Sequence, residues 1–247
     1  MTENQGPVYP EPSRRAGVNE APSYSVPWSV TDTWLGVGML ILLSLGMIVG
    51  ILLGLGRQLV QNAGILFLEF VYLLPMILIF AWRRISWRHL GFGGFPLRML
   101  ASGFGLLILS YLIIIPHNYL LDHLGLGTQG DQILDVFNEL QSPIWFILVG
   151  AVVAPFVEEI FFRGFLFQGF RQEYGWVNAV LLSSLIFAAA HLDPLSFIPT
   201  FVLGCVLAYV YHRSNSLWPG ILFHTLVNSF GLLTVYLISR YPNLIPS

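Results

Sequence analysis

The sequence predicts an all-α protein, a polytopic bundle of about seven membrane-spanning helices (between six and eight). Of its 247 residues, 55% are hydrophobic and only 10% are charged, whereas an ordinary soluble domain carries about 25% charged residues. The mean hydropathy is +0.73. Long apolar runs follow one another along the chain, and a backbone in lipid satisfies its own hydrogen bonds as a helix.

The charge pattern excludes several classes of protein. The net charge of −2 offers no basic field for nucleic acid, so the lipid bilayer is the expected partner and nucleic acid is not. Charges this sparse also exclude a soluble globular domain or a coiled coil. The single cysteine, Cys205, excludes an intrachain disulfide.

The chain is expected to begin with a polar tail over residues 1–27. This stretch holds five prolines and too few apolar residues to build a core, so it is predicted to be disordered and cytoplasmic. Residues 28–247 are predicted to form a single transmembrane domain, with the residues that carry chemistry in 143–230.

Seven apolar runs follow the tail, each rich in Leu, Ile, Val and Phe. Tryptophans lie close to several of their ends, where the interfaces of a bilayer favour them. The predicted spans are 34–56, 63–82, 97–121, 143–170, 176–192, 196–212 and 217–239.

Arginine predicts the orientation. Four arginines cluster between the second and third spans, so that loop and the N-terminus are expected to be cytoplasmic in a multi-pass protein of the plasma membrane. They are Arg83, Arg84, Arg88 and Arg98. The loop on the opposite side is acidic. Ile133, Phe137 and Leu140 recur in it at helical spacing, which predicts a short helix on the membrane surface.

The fourth span contains three charges in an apolar stretch: Glu158, Glu159 and Arg163. Each costs about 2.5–3.5 kcal/mol at the bilayer centre on insertion scales, so they should face the bundle and mark a functional site. Glu159 and Arg163 are four residues apart and can pair. Glu158 points about 100° away and is left free. A purely structural ion cluster is the alternative. Glu69, inside the second span, is interpreted as snorkelling to the interface.

Two histidines and an asparagine in later spans are expected to complete this polar site. His191 ends the fifth span. His224 and Asn228 lie four residues apart in the seventh span and therefore share a helix face. A histidine in a membrane helix is often only a packing residue, but two of them with an isolated glutamate favour a shared site.

Two hydrolytic mechanisms fit this set, and both cleave an amide or ester. Glu158, His191 and His224 match the ligands of a catalytic zinc with one open position. Without a metal, Glu158 would act as general base on water. His224 and Asn228 would then donate hydrogen bonds to the developing oxyanion.

Three ordered motifs resemble those of the CPBP family, which comprises the CAAX prenyl endopeptidases and the Abi-type proteins. They are Glu158-Glu159-x-x-x-Arg163, Phe187-x-x-x-His191 and His224-x-x-x-Asn228, with Leu90-Gly91-Phe92 as a weaker match. The resemblance implies an intramembrane endopeptidase acting on a membrane-associated peptide or protein. It implies that Glu158 activates water, that Glu159 and Arg163 support it, and that His191, His224 and Asn228 complete the site.

Two other functions remain open at this point. The buried carboxylates would also suit a transporter or a proton or ion pathway. A non-catalytic membrane scaffold or immunity protein is the third interpretation. Neither the oligomeric state nor the identity of the substrate follows from the residues.

Overall fold

The computed structural model describes residues 25–53, 69–139 and 143–241. Of the tail predicted over residues 1–27, only 25–27 fall within these ranges. The end of the first predicted span and the start of the second, residues 54–56 and 63–68, also lie outside the described residues.

The described ranges contain helices and no strand, which confirms the predicted all-α class. Four helical segments are long and apolar enough to cross a membrane: Val30–Gly50, Arg98–His123, Pro143–Ala190 and Leu217–Arg240. We number the α-helices in chain order as α1 (Val30–Leu52), α2 (Leu74–Arg83), α3 (Arg98–His123), α4 (Gln129–Glu139), α5 (Pro143–Leu148), α6 (Ala154–Glu159), α7 (Gln168–Ala190), α8 (Phe197–Ser214) and α9 (Leu217–Arg240).

The segment Pro143–Ala190 is one continuous helical path with irregular turns. π-helical turns at Val149–Val153 and Ile160–Phe167 flank α6. Inside α7 the backbone breaks at Gly175, which has φ 77° and ψ 166°. Glycine populates positive φ without steric cost, so the chain turns there. The predicted boundary between the fourth and fifth spans falls at this glycine.

The core lies where α7, α8 and the π-turn Ile160–Phe167 meet. Phe161, Phe162 and Phe165 of that turn are at most 1% exposed. Close packing drives helix association in lipid, and small residues permit it. At Gly204 of α8 an added Cβ would lie 2.9 Å from the Cβ of Ser184 on α7, so only glycine fits this approach.

One end of the bundle, which we call the arginine pole, gathers Arg83, Arg98, Arg171 and Arg213. A loop over residues 86–94 covers it, with a 3₁₀ turn at Trp87–Leu90. Five successive carbonyls of this loop, from residues 89 to 93, accept hydrogen bonds. Their donors are Gln168 Nε2, the Tyr211 hydroxyl, Leu217 N, Trp218 Nε1 and the Ser216 hydroxyl, in that order.

The first described residues are tied to the same pole. Val26 N donates to the amide oxygen of Gln172 at 3.2 Å, and the Gln172 amide nitrogen donates to Trp28 O at 2.6 Å. Asp32, at the start of α1, pairs with Arg83 at 2.8 Å. The first described residues therefore lie at the arginine pole.

The opposite end, which we call the acidic pole, carries Asp122, Asp131, Asp135 and Asp193. The short helix predicted there is α4, and it packs on α9 through Phe137 against Leu232. Asp131 accepts from the backbone N–H and the hydroxyl of Thr128 at 2.6 and 2.9 Å. This contact satisfies a free N–H group at the first turn of the helix.

Candidate active site

The three intramembrane charges lie together where α6 passes into the second π-turn. Glu158 is 7% exposed, and Glu159 and Arg163 are each 1% exposed. Groups this buried must find polar partners inside the protein. The structure places those partners on α8 and α9.

Glu159 is the centre of an ion-pair network. Its Oε1 lies 2.9 Å from Arg163 Nη1, which is the i,i+4 pair that the spacing predicts. The same oxygen lies 3.1 Å from His224 Nδ1. Arg163 also donates through Nη2 to the carbonyl of Gly204 at 3.3 Å, and its guanidinium lies 4.4 Å above the ring of Phe187. The network joins three helices.

Glu158 is placed differently from its neighbour. Its Oε2 lies 3.6 Å from His224 Nε2, which is beyond normal hydrogen-bond length. This oxygen is buried and has no hydrogen-bond partner among the described residues. The imidazole of His224 thus stands between the two carboxylates, with Nδ1 facing Glu159 and Nε2 facing Glu158.

His191 directly follows the last residue of α7, and its ring and that of His224 both pack against Phe187. Its Nδ1 lies 2.7 Å from the carbonyl oxygen of Phe187. A carbonyl only accepts, so Nδ1 carries the hydrogen and Nε2 is left to accept in the neutral ring. The ring packs on Phe187 at 4.7 Å between centroids, while His224 packs on the same phenyl ring at 5.6 Å.

Asn228 lies one turn beyond His224 on α9. Its Nδ2 donates to the carbonyl of Gly150 at 2.9 Å. That carbonyl belongs to the π-turn Val149–Val153. The bond fixes the amide group and leaves its second N–H for another acceptor.

A cavity of about 590 Å³ joins these residues. Glu158, His191, His224 and Asn228 all line it, whereas Glu159 and Arg163 lie behind its wall. The structure therefore brings four of the six predicted site residues to one space and places the other two in support.

The predicted zinc ligands, Glu158, His191 and His224, do not fit a zinc ion in this arrangement. Zinc ligands converge to about 2.0–2.2 Å from the ion. Within residues 25–53, 69–139 and 143–241, no group of three or more His, Cys, Asp or Glu side chains is placed to hold a metal. Both ring nitrogens of His224 face carboxylates instead. Zinc stays a prediction.

Sequence reasoning missed two contacts near the site. The hydroxyl of Tyr72 donates to the carbonyl of Ala190 at 3.2 Å, next to His191. Glu69 Oε2 is buried with no hydrogen-bond partner among the described residues, and its carboxyl group is near enough to Glu158 for the two to influence each other electrostatically. The snorkelling interpretation of Glu69 does not agree with a buried oxygen. A glutamate and a tyrosine three residues apart in an apolar run were the available signal.

Comparison with known proteins gives a family match and several similar relatives. Residues 140–230 match the family model described as type II CAAX prenyl endopeptidase Rce1-like. The chain is 28% identical over 109 residues to the Bacillus subtilis protein named "Putative membrane peptidase YdiL", covering 44% of this chain and 45% of that protein. It is 31% identical over 138 residues to UPF0177 protein YaiF of Lactococcus lactis, covering 51% and 59%.

The matched segment contains all three motifs on which the resemblance rests. The chain spans about half the length of the curated relatives it matches, from 45% for the first to 59% for the second. No solved structure matches the chain.

Proposed function

We propose that the chain is an intramembrane endopeptidase, because residues 140–230 match the family model described as type II CAAX prenyl endopeptidase Rce1-like. Its substrate is a membrane-associated peptide or protein, and Glu158 is the general base. The observation that carries the proposal is the lining of one cavity by Glu158, His191, His224 and Asn228.

The mechanism that we propose takes Glu158 as the base and His224 as its protonated neighbour. In that state two carboxylates face one guanidinium and one imidazolium, so the charges balance. Glu158 takes a proton from water as the water oxygen attacks the carbonyl carbon of the substrate. The remaining charge of the site is then +1, which stabilises the oxyanion of the tetrahedral intermediate. Glu158 returns the proton to the leaving amine.

The other cavity residues position the reactants. In this state His224 donates through Nδ1 to Glu159, and its Nε2–H faces Glu158, which lines the cavity. The free N–H of Asn228 is a second donor for the oxyanion. His191 Nε2 accepts a hydrogen from the attacking water and orients it. Glu159 and Arg163 hold the imidazole of His224 in place.

The first experiment compares Glu158→Gln with Glu173→Gln, because Glu173 lies in the same helical path and is exposed. Purified protein in liposomes is given a pool of acyl-anchored, quenched-fluorescence peptides of random sequence. The loss of a general base should lower cleavage about 10²–10⁴-fold. The Glu173 variant should cleave within twofold of the parent protein. Full activity of Glu158→Gln, with the protein inserted, would remove this mechanism.

A separate measurement decides between the two hydrolytic mechanisms. Zinc, held by Glu158, His191 and His224, would polarise the carbonyl and lower the pKa of a bound water. The metal-free mechanism predicts full cleavage after strong chelation, with no zinc in elemental analysis of the active protein. Cleavage that is lost on chelation and restored by zinc would overturn the metal-free version while leaving the peptidase proposal standing.

The geometry favours a peptidase over a proton or ion pathway. A pathway needs polar groups from the site to both sides of the membrane. Between Glu158 and the arginine pole lie Phe161, Phe165 and Leu90, which are 0% exposed and apolar. The polar side chains buried in that direction, Arg163 and Gln168, are held by Glu159 and by the carbonyls of Gly164 and His89.

A further inference from the structure

We infer that Glu69 holds a proton and donates a hydrogen bond to Glu158, directly or through one water, and so orients the proposed base. The inference rests on the proposed function. Glu69 lies in the turn that precedes α2 and is not among the residues that line the cavity. It is therefore a positioning residue, which acts through Glu158.

The register of two neighbouring segments brings the two glutamates to the same level of the bundle. The chain runs toward the arginine pole both through α2 and through the π-turn Ile160–Phe167. Between these segments, the ring of Tyr72 packs on that of Phe162 at 6.2 Å between centroids. Glu69 precedes Tyr72 by three residues. Glu158 precedes Phe162 by four, so each glutamate lies about one helical turn before the ring contact.

The turn that carries Glu69 is fixed against the site. Tyr72 N donates to Glu69 O at 3.2 Å, and the Tyr72 hydroxyl donates to Ala190 O at 3.2 Å. Ala190 is followed directly by His191, which lines the cavity. The carboxyl groups of Glu69 and Glu158 are near enough to influence each other electrostatically. The backbone at Glu69 thus has a defined place beside the reacting groups, as a positioning residue requires.

The unpaired oxygens of the two glutamates complement each other once one of them carries a proton. Oε2 of Glu69 and Oε2 of Glu158 are both buried, and neither has a hydrogen-bond partner among the described residues. Two carboxylates only accept, so they cannot bind each other, whereas a protonated carboxyl group has one O–H to donate. This bond uses one of the roughly four acceptor positions of Glu158 and leaves the others for the attacking water.

The charge balance assigns the proton to Glu69. Glu158 and Glu159 lie beside the guanidinium of Arg163 and the ring of His224. Within residues 25–53, 69–139 and 143–241, no salt bridge joins Glu69 to a cation. An ionised Glu69 would add an uncompensated negative charge, whether or not His224 is protonated. A carboxyl group buried away from any cation becomes neutral instead.

The proton on Glu69 is not consumed in the proposed reaction. Glu158 takes a proton from water and returns it to the leaving amine, while the O–H bond of Glu69 stays intact. The hydrogen bond from Glu69 holds the carboxylate of Glu158 during both transfers. Small displacements of reacting groups cost rate, so the loss of this bond should slow the chemical step.

The first test detects the proton and needs no cleavage. In liposomes at neutral pH, the infrared C=O band of a protonated carboxyl group is separate from the bands of ionised carboxylates. We expect such a band in the parent protein, its loss in Glu69→Gln, and a shift in Glu158→Gln because the acceptor becomes an amide. Glu173→Gln, at an exposed position, should leave the band unchanged. A band that persists in Glu69→Gln, or one that does not shift in Glu158→Gln, would overturn the inference.

The second test separates a hydrogen-bond donor from a charge. Glu69→Gln keeps the length of the side chain and an N–H donor, whereas Glu69→Met keeps the length and loses the donor. On a peptide cleaved from the acyl-anchored pool, Glu69→Met should lower kcat about tenfold to a hundredfold and leave KM unchanged. Glu69→Gln should stay within about threefold of the parent protein. Equal losses in the two variants would mean that Glu69 acts by its charge, and full activity of Glu69→Met would mean that it only fills space. Either result would overturn the inference.

The two tests also separate this inference from the proposed function. Cleavage by no form of the protein would count against the proposed peptidase. The infrared bands would still decide whether Glu69 holds a proton that is hydrogen-bonded to Glu158. That comparison uses only changes of glutamate to glutamine, which keep the size of the side chain, so it stays decisive where Glu69→Met does not fold.

Discussion

The two ends of this bundle are built from the same helices but differ in what their polar groups do. At the arginine pole, five consecutive carbonyls of the covering loop accept hydrogen bonds from α7, α8, α9 and the turn between the last two. On the side of the acidic pole, Glu158 Oε2 lines an open cavity without a hydrogen-bond partner among the described residues. Satisfied polar groups fix a structure, whereas an unsatisfied one next to a cavity is available to a substrate.

The difference indicates that the end of the bundle at the arginine pole keeps the structure rigid, while the cavity nearer the acidic pole holds the reacting groups. A catalytic constellation has to be held by rigid neighbours, because small displacements of reacting groups cost rate. Glu159 and Arg163 lie at the boundary of the two regions, above the buried phenylalanines and behind the cavity wall. They belong to the rigid part and present His224 to the reactive part.

The largest effect is expected from Arg163→Met, which removes the charge at this boundary. The change leaves Glu159 buried without its cation, and breaking a buried pair in this way costs about 3–5 kcal/mol. Cleavage should be lost with it, because His224 is no longer held. The free energy of unfolding in detergent measures the first effect and the peptide pool measures the second.

Arg213→Met is the matched control, since Arg213 is exposed at the arginine pole. Surface substitutions of this kind stay within about 0.5 kcal/mol. Equal losses in the free energy of unfolding would show that the buried ion-pair network of Arg163 does not stabilise the rigid part of the bundle.

The next largest effect is expected from Gly91→Ala, which strains the arginine pole alone. Gly91 has φ +93°, and an added Cβ would lie 2.5 Å from the hydroxyl of Tyr211. Strain of this kind costs about 1–3 kcal/mol. Thermal unfolding should shift downward, while cleavage at a temperature where the protein is folded stays within twofold.

Gly93→Ala is the control for this prediction, because nothing lies within 4 Å of an added Cβ there. If Gly91→Ala abolished cleavage and left stability unchanged, the arginine pole would take part in the reaction rather than only keep the structure rigid.

Much of this arrangement was predictable from local rules. Apolar runs predicted the helices, and the four-residue spacing predicted the pair of Glu159 with Arg163. The ordered motifs predicted the family whose model matches residues 140–230. Each of these features depends on residues close in sequence or on composition, where helical periodicity is a reliable guide.

The remaining features depend on how distant segments meet. The spacing rules left Glu158 free, but they did not predict that the imidazole of His224 stands between both glutamates. The π-turns escape prediction because their residues are ordinary helix formers, and only packing selects the wider turn. The bond from Tyr72 to Ala190 joins residues 118 positions apart, which no periodicity reveals.

The smallest effect is expected from Tyr72→Phe, which changes a contact at the cavity end of the bundle. The hydroxyl donates to Ala190 O at 3.2 Å, and the ring packs on Phe162 at 6.2 Å between centroids. The substitution removes only the hydrogen bond, for a loss of about 0.5–1.5 kcal/mol. Because Ala190 immediately precedes His191, a freer helix end should lower kcat severalfold and leave KM unchanged. Tyr119→Phe, at a position 72% exposed, is the control. A lower free energy of unfolding without any change in kcat would mean that the hydrogen bond to the carbonyl of Phe187 is enough to hold His191. The cavity end of the bundle would then be as rigid as the arginine pole.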